Sequence, residues 1–97
     1  MLDFYIIPDS HGKPESDDLS RLEYAGGLEF DVYERFTRKG LIDPRFDFYS
    51  DFRWNSTLVH EILRSVENNQ PDSDFSQLIS ILNAAKCKEC GLIAYGD

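Results

Sequence analysis

Apolar side chains follow two rhythms along this chain. At its ends, Leu2–Pro8 (LDFYIIP) and Gly91–Gly96 (GLIAYG) are short runs rich in aromatic and β-branched residues, closed by proline or glycine. Both predict strands, the first of them buried on both faces at Tyr5-Ile6-Ile7. Between the ends the rhythm becomes helical. Leu58, Val59, Ile62, Leu63 and Val66 recur at i, i+1, i+4, i+5 and i+8, the strongest amphipathic signal present. Asn55 or Ser56 stands where a helix cap belongs, and Asn68-Asn69-Gln70-Pro71 stops the pattern. A further helix is predicted with Phe75, Leu78, Ile79, Leu82 and Ala85 inward, capped by Ser73 or Asp74, with Lys86 and Lys88 near its C-terminal dipole.

The first half is less regular. Asp9–Asp18 (DSHGKPESDD) reads as a solvated loop, after which Ser16 or Asp17 is placed to cap a short helix through Leu19 and Leu22. Gly26-Gly27 breaks that helix. Leu28, Val32 and Phe36 then share a second helical stripe that ends at Arg38-Lys39-Gly40. Leu22, Tyr24, Leu28, Phe30 and Val32 also alternate as a hairpin would. The helix is preferred after Gly27 because ERFTRKG ends as helices end. Leu41–Trp54 holds an Asp43-Pro44 turn and aromatics too dense for a clean helix, so an irregular or partly extended segment is expected. The outline predicts one α+β (α/β) domain over residues 1–97. Its small sheet contains the N- and C-terminal strands, because neither is stable alone, and about four helices cover it.

Composition narrows the partners. Of 97 residues, 41% are hydrophobic and 13% aromatic, too much apolar material for a disordered chain. Asp and Glu outnumber Lys and Arg 18 to 10, for a net charge of −8. That balance argues against nucleic acid and against an anionic membrane surface, both of which select clustered cations. No apolar run approaches the roughly 20 residues of a bilayer span. MLDFYIIPD lacks the basic n-region of a signal peptide, so a cytoplasmic protein is expected.

Candidate chemistry is sparse. Cys87-Lys88-Glu89-Cys90 has metal-ligand spacing, but no second pair accompanies it, and a pair placed after a helix C-terminus lacks the dipole that stabilises thiolate. Two reduced thiols at a turn, one of them packed inward, are expected. His11 and His60 have no nucleophile setting around them. Asp43, Asp47 and Asp51 recur every fourth residue without the glycine and terminal Glu of a calcium loop. The chain is therefore expected to be non-enzymatic, with no cofactor and no metal. One segment stands out. Residues 43–54 pack Phe46, Phe48, Tyr49, Phe52 and Trp54 among three aspartates. Phe46, Phe48 and Phe52 are expected to plug the core. Asp43, Asp47, Tyr49, Asp51 and Trp54 are the expected partner-binding residues, because aromatic anchors dominate interface hot spots and surrounding acids steer a basic partner.

In style the chain resembles the immunity proteins of bacterial polymorphic toxins and contact-dependent inhibition systems. The stretches that carry the likeness are GGLEFDVYERFTRKGLI, DFYSDFRWNSTLVHEIL and GLIAYGD. The resemblance implies a protein partner, a toxin domain that is often basic, held by direct binding; it carries over no individual residue. Two alternatives belong to other classes: a homodimeric or accessory-subunit interaction protein, and a metal or redox protein using Cys87 and Cys90.

Overall fold

A computed structural model describes residues 2–10, 22–43, 45–46, 51–68 and 75–96. Its elements are β1 (Leu2–Ile7), β2 (Glu23–Leu28), α1 (Phe30–Arg38), β3 (Phe52–Trp54), α2 (Ser56–Asn68), α3 (Phe75–Cys87) and β4 (Gly91–Tyr95). The four strands form one antiparallel sheet in the order β2-β1-β4-β3. The two terminal strands share this sheet, as expected, and are its central pair. The fold is α+β.

Strand alternation sorts the sheet into two faces. Leu2, Phe4 and Ile6 of β1 pair with Leu28, Gly26 and Glu23 of β2, and Phe4 and Ile6 pair with Ala94 and Leu92 of β4. Leu2, Phe4, Ile6, Leu92, Ala94 and Trp54 enter a single apolar cluster with the helices. From α2 come Val59, Ile62, Leu63 and Val66; from α3, Leu78, Ile81, Leu82 and Ala85. Tyr33 and Phe36 of α1 join the same cluster at its Phe52 end, where the Tyr33 and Phe52 rings lie 6.2 Å apart. The helices thus form one layer on one face. Ile6 and Ile7 are buried as expected, while Tyr5, expected to be buried with them, is half-buried on the face it shares with Asp3 and Ile7.

Glycine sets two close approaches. Gly26 has φ +143°, and a Cβ there would come within 2.9 Å of the Ile81 side chain, so its absence lets α3 settle against β2. At Gly91 a Cβ would lie 2.3 Å from the Trp54 carbonyl oxygen and 3.0 Å from Asn55 Cα. Backbone cannot yield as a side chain does.

Several readings of the chain need correction. Residues 23–28 form one strand with Tyr24 and Leu28 on opposite faces, so neither the helix break nor the hairpin turn expected at Gly26-Gly27 is present. A bulge between Phe4/Tyr5 leaves Ala25 unpaired, while Gly26 and Gly27 pair with Phe4 and Asp3. After Gly27 the chain does turn helical, and α1 ends before Gly40 at φ +76°. Three helices are present among the described residues instead of about four; the expected helix through Leu19 lies largely outside them, and Leu22 is a bend. Ile81 is a core residue of α3 that the i, i+3, i+4 reading omitted, and Ile79 is only partly buried.

Gly91→Ala is expected to force β3 away from β4 and to destabilise the fold by about 2–3 kcal/mol, the upper range for overpacking. Urea unfolding measures it; a change below about 0.5 kcal/mol, the size of an ordinary surface substitution, would contradict the close approach.

Candidate functional site

The 43–54 segment divides sharply. Trp54 was expected to contact a partner, and this is overturned. It is wholly buried, with its ring 5.2 Å from Phe4, 5.4 Å from Phe52 and 6.0 Å from Phe46. It sits inward because β3 pairs Trp54 with Leu92 and Phe52 with Ala94, placing both rings on the helix face. The indole Nε1 is the buried side-chain nitrogen that has no partner among the described residues. Phe46 and Phe52 pack against the core as expected. The Tyr33 hydroxyl donates to the Phe46 carbonyl and so ties this segment to α1. Asp43 and Asp51 are exposed; Asp47, Tyr49 and Phe48 lie outside the described residues. Asp43 closes its own turn by accepting from the Arg45 amide at 3.0 Å, while the Arg45 guanidinium lies 4.8 Å from the Phe46 ring centre. Asp43 and Asp51 therefore lie on different surfaces, and Trp54 is buried. Asp43 belongs to a hollow beside α2, whose lining includes Phe46, Leu58 and Glu61. Asp51 belongs to the opposite face of the sheet.

That opposite face carries residues the sequence reading did not group. Register places Tyr24, Tyr5, Ile93 and Arg53 in one row across β2-β1-β4-β3, and Gly27, Asp3 and Tyr95 in the next. Asp51 follows at the end of the second row, one residue before Phe52↔Ala94. The Tyr5 ring lies 5.4 Å from Tyr24 and 5.9 Å from Tyr95, edge to face with both. The Tyr24 hydroxyl donates to Asp3 Oδ1 at 2.9 Å. Tyr24 is 52% exposed. Both Tyr24 and Tyr95 hold their protons more tightly than an ordinary tyrosine, first through desolvation, and then through Asp3 beside Tyr24 and Asp51 beside Tyr95. The available signal was the alternation Asp3, Tyr5 and Ile7 within β1. Reading Tyr5-Ile6-Ile7 as buried on both faces hid it.

A second polar cluster joins distant parts of the chain. Asp9, just after β1, accepts from the Ser56 amide at 2.9 Å and from the Ser56 hydroxyl. The Arg53 guanidinium donates to the Pro8 carbonyl at 2.7 Å and the Asp9 carbonyl at 3.3 Å. Asn55 accepts from the Leu58 amide at 2.8 Å, as the expected cap. Asp9 and Asn55 thus satisfy two of the amides orphaned at the start of α2. The Ser56 hydroxyl bond, then its amide bond and the Arg53 charge, hold the Asp9 carboxyl below its usual range. Through its hydroxyl and amide, Ser56 links Asp9 to the first turn of α2.

The remaining sequence candidates stay apart. Cys87 is exposed and Cys90 partly buried against the core, its thiol 3.2 Å from the Lys88 carbonyl. Among the described residues no group of three or more His, Cys, Asp or Glu side chains is placed to hold a metal ion. His60 is exposed on α2, and His11 lies outside the described residues. No described helix is long and apolar enough to cross a membrane. Comparison with protein-family models, with curated proteins and with solved structures finds no match to this chain.

Two outcomes check this geometry. Trp54→Ala should cost about 3–5 kcal/mol, while Trp54→Phe, which also deletes the unpaired indole N–H, should cost under about 1.5 kcal/mol. Equal losses from both would place the ring elsewhere. Asp9→Ala should cost about 0.5 kcal/mol at neutral pH, low in the capping range because the carboxylate is exposed. A lowered folded pKa adds stability above the unfolded value, and that stability disappears as pH falls through the folded value. The gap between wild type and Asp9→Ala should therefore close as pH falls below the usual aspartate range. A gap that persists in acid would contradict the Asp9–Ser56 link.

Proposed function

We propose that this protein is a non-catalytic, acidic binding protein that docks a basic protein partner, and that it acts as an immunity protein neutralising a toxin by direct contact. The observation that carries this reading is where the charge resides. The core of the described residues is entirely apolar, with no polar or charged residue buried in it, and the acids stand outward. Asp43, Asp51, Glu61 and Glu67 are all exposed, so acids of the described residues contribute to a negative surface field, in a chain whose net charge is −8. Such a field attracts cationic partners over long range and raises their rate of encounter. Catalysis usually draws on titratable groups held in a desolvated cleft. The shifted groups here are a helix-capping aspartate and two tyrosines of the sheet surface.

A second reading, self-association, is favoured by one feature: β2 lies at the sheet edge, with Tyr24 exposed on it. The charge of −8 on each copy opposes it. Light scattering separates the two readings.

The test is capture at low salt on the immobilised chain, followed by association kinetics with the purified partner. The expected partner is cationic, and its association rate should fall at least about tenfold as salt shortens the screening length from about 30 Å to about 8 Å. Coexpression should relieve any toxicity of that partner. An acidic partner, or a rate indifferent to salt, would contradict the proposal.

A further inference from the structure

We infer that the docking surface is the sheet face turned away from the described helices, where Tyr5, Tyr24 and Tyr95 lie between Asp3 and Asp51, and that it receives a Lys or Arg side chain of a basic protein. This rests on the proposed binding role and adds the place and the chemistry of contact. Three features converge there. Asp3 is paired directly across from Tyr95 in the β1–β4 register, and Asp51 flanks Tyr95 from the β3 side, so one aromatic ring stands between two carboxylates. Next, the three tyrosines form a continuous strip, each ring in edge contact with the next. Separations of 5.4 Å and 5.9 Å are those of rings already in contact, so no guest enters between them. A cation is instead received over an outer ring face, where the π quadrupole and a neighbouring carboxylate attract it together. Finally, the strip is preorganised: Tyr24 is held by Asp3, and the rings stand on paired strands, so little side-chain freedom remains to be lost on binding. Charge complementarity selects the occupant. A second copy of this chain would bring more acids to a surface already bounded by two.

The hollow beside α2 is the competing surface. Its acids Asp43 and Glu61 share it with Arg45, whereas Arg53 of the sheet face turns its guanidinium to the Pro8 and Asp9 carbonyls at the strand end.

The experiment titrates the full chain with an octa-arginine peptide at low salt and follows backbone amide shifts by NMR. Shifts should concentrate at residues 3, 5, 24, 51 and 95. The isosteric pair Asp3→Asn with Asp51→Asn should weaken binding on the order of tenfold, and Tyr95→Leu about three- to tenfold. The charge-matched control Glu61→Gln with Glu67→Gln, on the helix layer, should change it less than about twofold. Each variant is first shown to keep the wild-type amide spectrum, and the asparagine retains an acceptor for the Tyr24 hydroxyl. If the control pair weakens binding as much as the sheet pair, or the shifts fall along α2, this surface is wrong while the cationic-partner reading stands. If octa-arginine does not bind at low salt, both fail.

Discussion

Everything in this molecule hangs on the antiparallel pairing of its two terminal strands. Phe4 opposite Ala94 and Ile6 opposite Leu92 turn one face of the sheet toward the helices. The same register sets Asp3 opposite Tyr95 and Tyr5 opposite Ile93 on the other face. Because side chains alternate, a slip of one residue would send the core set outward and the tyrosines inward. Core and candidate docking surface are therefore specified by one set of backbone hydrogen bonds. That economy has a kinetic consequence, since the central pair joins residues from opposite ends of the chain and must close nearly its whole length before it forms.

The outer strands and helices are fastened to this pair by different means. On the core side, β3 is held by aromatic packing, with Phe52 and Trp54 against Phe4 and Phe46. At its far end Arg53 reaches the carbonyls of Pro8 and Asp9, and Asp9 reaches the first turn of α2. The end of β1 thereby fixes where both β3 and α2 begin. β2 is seated differently, by the missing side chain of Gly26 beneath Ile81 and by an exposed Glu23–Lys88 ion pair across to the end of α3. An exposed pair of this kind adds little stability. The antiparallel ladder with β1 attaches that edge, and the glycine fit seats α3 on it.

Elements with one dominant pattern were readable in the sequence. The terminal strands, the Leu58–Val66 stripe and its Asn55 cap, and the close of α1 at Gly40 all follow from local chemistry. Residues 22–28 were not, because helix and strand patterns overlap around Gly26-Gly27 and only pairing with β1, bulge included, decides between them. Trp54 misled for a related reason. An aromatic amid charged residues reads as an exposed anchor, yet alternation in a three-residue strand turns Trp54 inward and leaves Arg53 and Asp51 to the other face. The tyrosine strip was the least legible feature. Its members come from residues 5, 24 and 95, each unremarkable in its own segment and adjacent only once strand order is known.

Native-state amide hydrogen exchange tests most directly whether the terminal pair is the structural keystone. The amides shared by β1 and β4 should exchange only through global unfolding, with the same free energy as the denaturant transition, while β2 and α1 open at lower cost. If β1 or β4 exchanged readily while α2 and α3 stayed protected, the helices would be the stable unit and the terminal pairing a late addition, contrary to this account.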